Sequence, residues 1–115
     1  MDQIIVEGHR GWRAKYPENT LRSFREAIGI GVDAIEFDVW LSADGVPVIS
    51  HDENLLRMTG TDARITALTL EELKQLDAGS RKAPEFAGER IPTLQEVLQL
   101  VKRLRPSLRL GVEIK

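Results

Sequence analysis

An α/β fold is predicted by three observations. Short apolar runs rich in β-branched residues alternate along the 115-residue chain with amphipathic stretches. Each amphipathic stretch opens on a helix-capping residue. One connection is too short for a parallel crossover and marks a local departure from the alternation.

The runs Ile4-Ile5-Val6, Ala34 to Trp40, Val46 to Ser50 and Leu108 to Ile114 read as strands bounded by turn residues. The first helix follows Pro17-Glu18-Asn19-Thr20, where Asn19 or Thr20 can accept a free N–H of the first turn. Leu21, Phe24 and Ile28 then recur at helical spacing, and Gly31 ends the helix. A second helix near Thr69 to Leu76 and a third after Thr93 each open on a capping box, with Thr69 and Glu72 or Thr93 and Glu96 satisfying each other's N–H groups. The third carries the stripe Leu94, Val97, Leu98, Val101 and Leu104. Gly79 to Gly88 reads as a polar loop. Only seven residues separate Val39 from Pro47, and they include Asp44-Gly45. A parallel crossover needs about a dozen, so the second and third strands are predicted to form an antiparallel hairpin.

Composition excludes several classes of function. The net charge of −2 makes no electrostatic case for nucleic acid or an anionic membrane. There is no cysteine, hence no disulfide and no thiolate metal site. No apolar stretch approaches the ~20 residues of a membrane span, and the N-terminus lacks the pattern of a secretory signal. A cytoplasmic protein is the expectation.

The chemistry sits in the strands. Alternation puts Glu36 and Asp38 on one face and Ile35, Phe37 and Val39 on the other. Glu113 and Lys115 repeat the pattern opposite Val112 and Ile114. A solvated face is the plainer reading of such a strand. However, Glu and Asp are poor strand formers, and strands flanked by helices are covered on both faces. Buried carboxylates need a positive partner, and an all-oxygen set suits Mg²⁺, Ca²⁺ or Mn²⁺.

His9 and His51, the chain's two histidines, each follow an apolar run. A two- or four-residue turn at Asp44-Gly45 would keep His51 on the acidic face, whereas a three-residue turn would flip it away. Two imidazoles at strand ends, one beside paired carboxylates, point to acid/base chemistry. Arg10, between Gly8 and Gly11, and Lys115 are candidate phosphate contacts. Asp52 and Glu53 read as loop residues, with Asp52 suited to orienting His51. Trp12, Tyr16 and Trp40 either wall a pocket or pack in the core.

In order, Gly8-His9-Arg10-Gly11, Pro17-Glu18-Asn19-Thr20, Glu36-Phe37-Asp38-Val39, Asp44-Gly45-Val46-Pro47-Val48, His51-Asp52 and Glu113-Ile114-Lys115 resemble the motifs of the glycerophosphodiester phosphodiesterase family. The resemblance covers essentially the whole chain. It implies a TIM-type (β/α)₈ barrel, distorted at the hairpin, with the site at the carboxyl ends of the strands. It further implies that Glu36, Asp38 and Glu113 are metal ligands for a divalent cation, Mg²⁺ or Ca²⁺. His9 and His51 would be the catalytic acid/base pair, and Arg10 and Lys115 the substrate-binding residues. The implied substrate is a small-molecule glycerophosphodiester, cut to glycerol 3-phosphate and an alcohol.

Such a barrel takes ~250 residues, so residues 1–115 are expected to be its N-terminal half, a truncated domain. The alternatives are a phospholipase D-like or lysophospholipase D phosphodiesterase on the same barrel, or a non-catalytic half-barrel. In the latter, two copies would form a homodimer through their open edges.

Overall fold

The computed structural model describes residues 5–115 and has the expected α/β order. The elements are β1 (Glu7–His9), α1 (Leu21–Gly29), β2 (Ala34–Leu41), β3 (Pro47–Ile49), α2 (Leu56–Thr59), α3 (Leu70–Leu73), α4 (Leu94–Leu104) and β4 (Arg109–Ile114). Single 3₁₀ turns at Ile65–Ala67 and Pro84–Phe86 interrupt the loops.

The four strands form one sheet in which β2 pairs with each of the others. β1 and β4 run parallel to β2, as in a TIM-type barrel, while β3 runs antiparallel, as the short Val39–Pro47 connection requires. β1 pairs with Ala34 to Glu36 and β3 with Val39 to Leu41. The carbonyls of Glu36 and Asp38, two residues apart and so pointing the same way, accept from Arg10 N–H and Ser50 N–H. Hence β1 and β3 lie end to end along one edge of β2, and both chains leave the sheet beside Phe37–Asp38. β4 occupies the other edge.

Thr20, not Asn19, caps α1, its Oγ1 accepting from Ser23 N–H. Gly31, at φ 90°, takes the left-handed conformation just past that helix. Both capping boxes form, at Thr69–Glu72 and Thr93–Glu96. The main core packs Phe24, Ala27 and Ile28 of α1 and Val97, Leu100 and Val101 of α4 against Ile35, Phe37 and Val39 of β2. Burying such side chains contributes roughly 1.5–3 kcal/mol each. A second cluster, including Val48, Leu55, Ile65, Leu73 and Ile91, gathers under the 50–92 loops.

Several expectations need correction. The first strand lies at Glu7–His9, just after the apolar run; Val6 is exposed, and Ile4 falls outside the described residues. On α4 the buried stripe includes Leu100, while Leu98 and Leu104 face solvent, because α1 covers only part of the apolar arc. The Gly79–Gly88 loop contains a buried Phe86, whose ring meets Tyr16 edge-on. Tyr16 also meets Trp12 edge-on, and the Trp40 Nε1–H donates to Ser50 O.

The hairpin register also differs. Ser42 N–H donates to Val46 O, so three residues form the tip, and Val39 lies opposite Ile49. This is the register that carries His51 off the acidic face of a continuing strand. The strand does not continue. β3 stops at Ile49, and the bend at Ser50–His51 returns the imidazole to Asp38 and Glu113, on whose carboxyls its charge acts.

Candidate active site

β1, β2 and β4 present their carboxyl ends at one rim, and pairing decides which side chains meet there. His9 is the register partner of Glu36, and Glu113 that of Asp38. The His9 Nε2 lies 3.3 Å from Glu36 Oε1. Gly111 lies opposite Glu36 on β4.

Asp38 is 6% exposed. Burial raises its pKa; the charges of His51 and Lys115 pull it down, but hydrogen bonding to the neighbouring Glu113 carboxyl adds to the rise. Glu113 shifts the other way. Its hydrogen bond from Lys115 Nζ, at 3.1 Å, and the charge of that ammonium hold it low, and the bond with Asp38 acts in the same sense. Asp38 and Glu113 thus crowd negative charge at a place where a cation would relieve their repulsion.

Among the described residues no three carboxylates or imidazoles already surround one ion-sized point. Asp38 and Glu113 are together, while Glu36, on the same face of β2, is turned to His9. The donor set and the crowded charge nevertheless fit a hard divalent cation.

The second half of the site is a relay that ties two loops together. His51 Nδ1–H donates to Asp52 Oδ1 at 2.8 Å, which leaves Nε2 free for a ligand. Arg57 Nε donates to Asp52 Oδ2 at 2.8 Å, and its terminal nitrogens grip Glu18. Glu18 also accepts from Arg10 Nη1 at 3.2 Å. Burial of Glu18 opposes ionisation, yet bonds and charge from Arg57 and Arg10 outweigh it and hold the carboxyl low. The same competition lowers Asp52, with Arg57 and His51 outweighing burial. Arg10 has left-handed backbone, φ 55°, and its buried Nε has no acceptor among the described residues.

The structure therefore brings His9, Glu36, Asp38, His51, Glu113 and Lys115 to one rim, with Arg10 following His9. Glu18 and Arg57 went unassigned in the sequence. Glu18 stood in the Pro17–Thr20 motif but read as a helix start, and Arg57 in Leu55-Leu56-Arg57-Met58 carries no local signal.

A mainly parallel sheet with acid, imidazole and basic groups at its carboxyl end is the arrangement of part of a TIM-type barrel. The model of the glycerophosphoryl diester phosphodiesterase family matches residues 9–115, and the chain belongs to that family. It is 47% identical over 99 residues to a glycerophosphodiester phosphodiesterase of Caldanaerobacter subterraneus subsp. tengcongensis, covering 86% of this chain and 41% of that protein. A phosphodiesterase structure from Oleispira antarctica, in complex with the product sn-glycerol-3-phosphate, superposes with a TM-score of 0.91 at 45% identity, over 97% of this chain and 44% of that one. A glycerophosphodiester phosphodiesterase structure from Thermotoga maritima superposes with a TM-score of 0.79 at 38% identity, over 100% of this chain and 46% of that one. The chain thus spans less than half the length of these relatives. No helix among the described residues is long and apolar enough to cross a membrane.

Proposed function

We propose that this chain carries the first-half catalytic groups of a hydrolase that cuts glycerophosphodiesters to glycerol 3-phosphate and an alcohol. Residues 1–115 would be the N-terminal half of its barrel domain. The observation that carries this reading is the Asp38–Glu113 carboxyl pair, flanked by His9 and His51 at one strand-end rim.

In the proposed mechanism a divalent cation, Mg²⁺ or Ca²⁺, held by Glu36, Asp38 and Glu113 would supply positive charge against the phosphodiester oxygens. Arg10 and Lys115 bind the phosphate, the first as a planar fork and the second as a point charge. Asp52 orients the His51 imidazole through Nδ1, leaving Nε2 as the nitrogen that would take a proton from the nucleophile, which is water or the adjacent glycerol hydroxyl. His9, 3.3 Å from Glu36, would protonate the leaving alcohol oxygen. The product named for the Oleispira antarctica relative, sn-glycerol-3-phosphate, supports this substrate class.

The test is release of glycerol 3-phosphate from glycerophosphocholine by the full-length protein, with and without EDTA. Turnover that stops on chelation and returns with Mg²⁺ or Ca²⁺ is expected. No release from any glycerophosphodiester with either ion would end the proposal.

One observation favours a second reading. Val112 and Ile114 of β4 are exposed, Ile114 to 81%. Two copies meeting through such a strand would cover them, and a monomer by light scattering would dismiss that pairing.

A further inference from the structure

A cavity of about 240 Å³ lies next to the site and is lined by four cations, Arg13, Arg57, Arg81 and Lys82, and one carboxylate, Glu18. It shares Glu18, Met58 and Ala78 with the small space that His51 borders. Two of its charges are already neutralised. Arg57 spends its donors on Glu18 and Asp52, and Glu18 is held by Arg57 and Arg10.

The other three cations have no carboxylate partner among the described residues. Arg81 Nε–H donates to Arg57 O at 2.9 Å, leaving its terminal nitrogens uncommitted. Lys82 Nζ donates to Arg13 O and Ala14 O, at 3.0 and 3.3 Å, both neutral acceptors. One acidic side chain of that loop, Asp77, is spent on local folding: its oxygens accept from Gly79, Ser80 and Gly88 N–H and from Ser80 Oγ–H.

Three like charges are thus gathered at one concavity of a chain whose net charge is −2. Their repulsion is offset only by solvent or by an anion. The gathering follows from the fold, because Lys82 pins the 77–89 loop to a loop 69 positions earlier. The volume lies below the roughly 300–1,000 Å³ of sites that enclose a whole small molecule. It suits one charged group on a larger ligand. Guanidinium forks and an ammonium match the oxygens of a phosphate or carboxylate.

We propose that this cavity is a second anion subsite, taking a phosphate or carboxylate carried by the leaving alcohol of the substrate. The assignment to the leaving alcohol rests on the hydrolytic reading above; the anion subsite does not.

The test has two arms on the full-length protein. In the first, inorganic phosphate is titrated at constant ionic strength while the arginine Nε–H resonances are followed by NMR. The Arg13 and Arg81 signals should move saturably, and Arg81→Gln or Lys82→Gln should weaken the apparent affinity about tenfold, the loss of roughly one charge-assisted contact. Arg13→Gln, a change at an exposed side chain, serves as a variant that folds. Unmoved Arg13 and Arg81 signals overturn the subsite, whatever happens at Arg10.

In the second arm, kcat/KM is compared for glycerophosphoinositol 4-phosphate and glycerophosphoinositol. A preference for the phosphorylated diester that disappears in Arg13→Gln and Lys82→Gln supports the leaving-group assignment. Equal kcat/KM for the two substrates overturns that assignment and identifies free phosphate as the ligand. Signals that move in a protein hydrolysing neither substrate keep the subsite and sink the hydrolytic reading instead.

Discussion

Arg57 grips Glu18 with both terminal nitrogens, Nη1 to Oε1 at 2.8 Å and Nη2 to Oε2 at 3.0 Å. The pair joins the loop after β1 to α2, 39 positions apart. One guanidinium therefore steadies both Asp52, which orients His51, and Glu18, which holds Arg10.

A lysine cannot reproduce this three-pronged contact. Arg57→Lys and Arg57→Gln should each lower kcat by about 10- to 100-fold, the equivalent of losing charged hydrogen bonds worth roughly 1.5–3 kcal/mol. Steady-state kinetics of the full-length protein check this, and unchanged kcat in Arg57→Gln would show that the bridge has no part in positioning.

Acid should weaken the fold through the same pair. Glu18 and Asp52 are held below their ordinary values of 4.5 and 3.8. Depressed carboxylates contribute stability that is complete above those values and is lost as pH falls through the lower folded-state values. Urea midpoints should hold steady from about pH 6 to 8 and fall below about pH 4. Glu18→Gln should lower the plateau and flatten the acid limb. A limb as steep in Glu18→Gln as in the wild type would contradict the assignment.

Asp38 and Glu113 repel each other unless a proton or a cation lies between them. Asp38→Asn should therefore stabilise the metal-free protein while abolishing the rise in Tm on adding Mg²⁺ or Ca²⁺. In the wild type that rise corresponds to about 2.7 kcal/mol at a hundred times Kd. Differential scanning calorimetry with and without each ion reads both effects, and an undiminished metal response in Asp38→Asn would exclude Asp38 as a ligand.

Gly11 sits at φ 81°, and a Cβ there would run into the side chain and backbone of Ser23. Ser23 Oγ meanwhile accepts from Trp12 N–H at 2.7 Å and donates to Arg10 O at 3.2 Å. Gly11→Ala should cost at least about 1–3 kcal/mol in urea unfolding. A cost below 0.5 kcal/mol would show that this turn tolerates a side chain.

Much of this was legible in the sequence where local rules decide the outcome. Capping boxes at Thr69 and Thr93 and the hairpin at Asp44-Gly45 are short-range physics, and they form as expected. Alternation placed Glu36 with Asp38 and paired Val112 with Ile114. It could not count the residues at the hairpin tip, which is why the register of Ile49 and the bend that returns His51 escaped it. The exposure of Leu98 and Leu104 depends on how much of α4 its neighbour covers, which periodicity does not encode. Arg57 was invisible for the same reason, since its partners Glu18 and Asp52 come from two loops that only the folded sheet brings together.

The most direct measurement is turnover of glycerophosphocholine, followed by ³¹P NMR, in full-length wild type, His9→Ala and His51→Ala, alongside the Mg²⁺ affinity of each. Both variants should be silent while their metal affinity stays within about threefold, ~0.7 kcal/mol, of the wild type. Glycerol 3-phosphate accumulating at the wild-type rate in either variant would contradict this expectation.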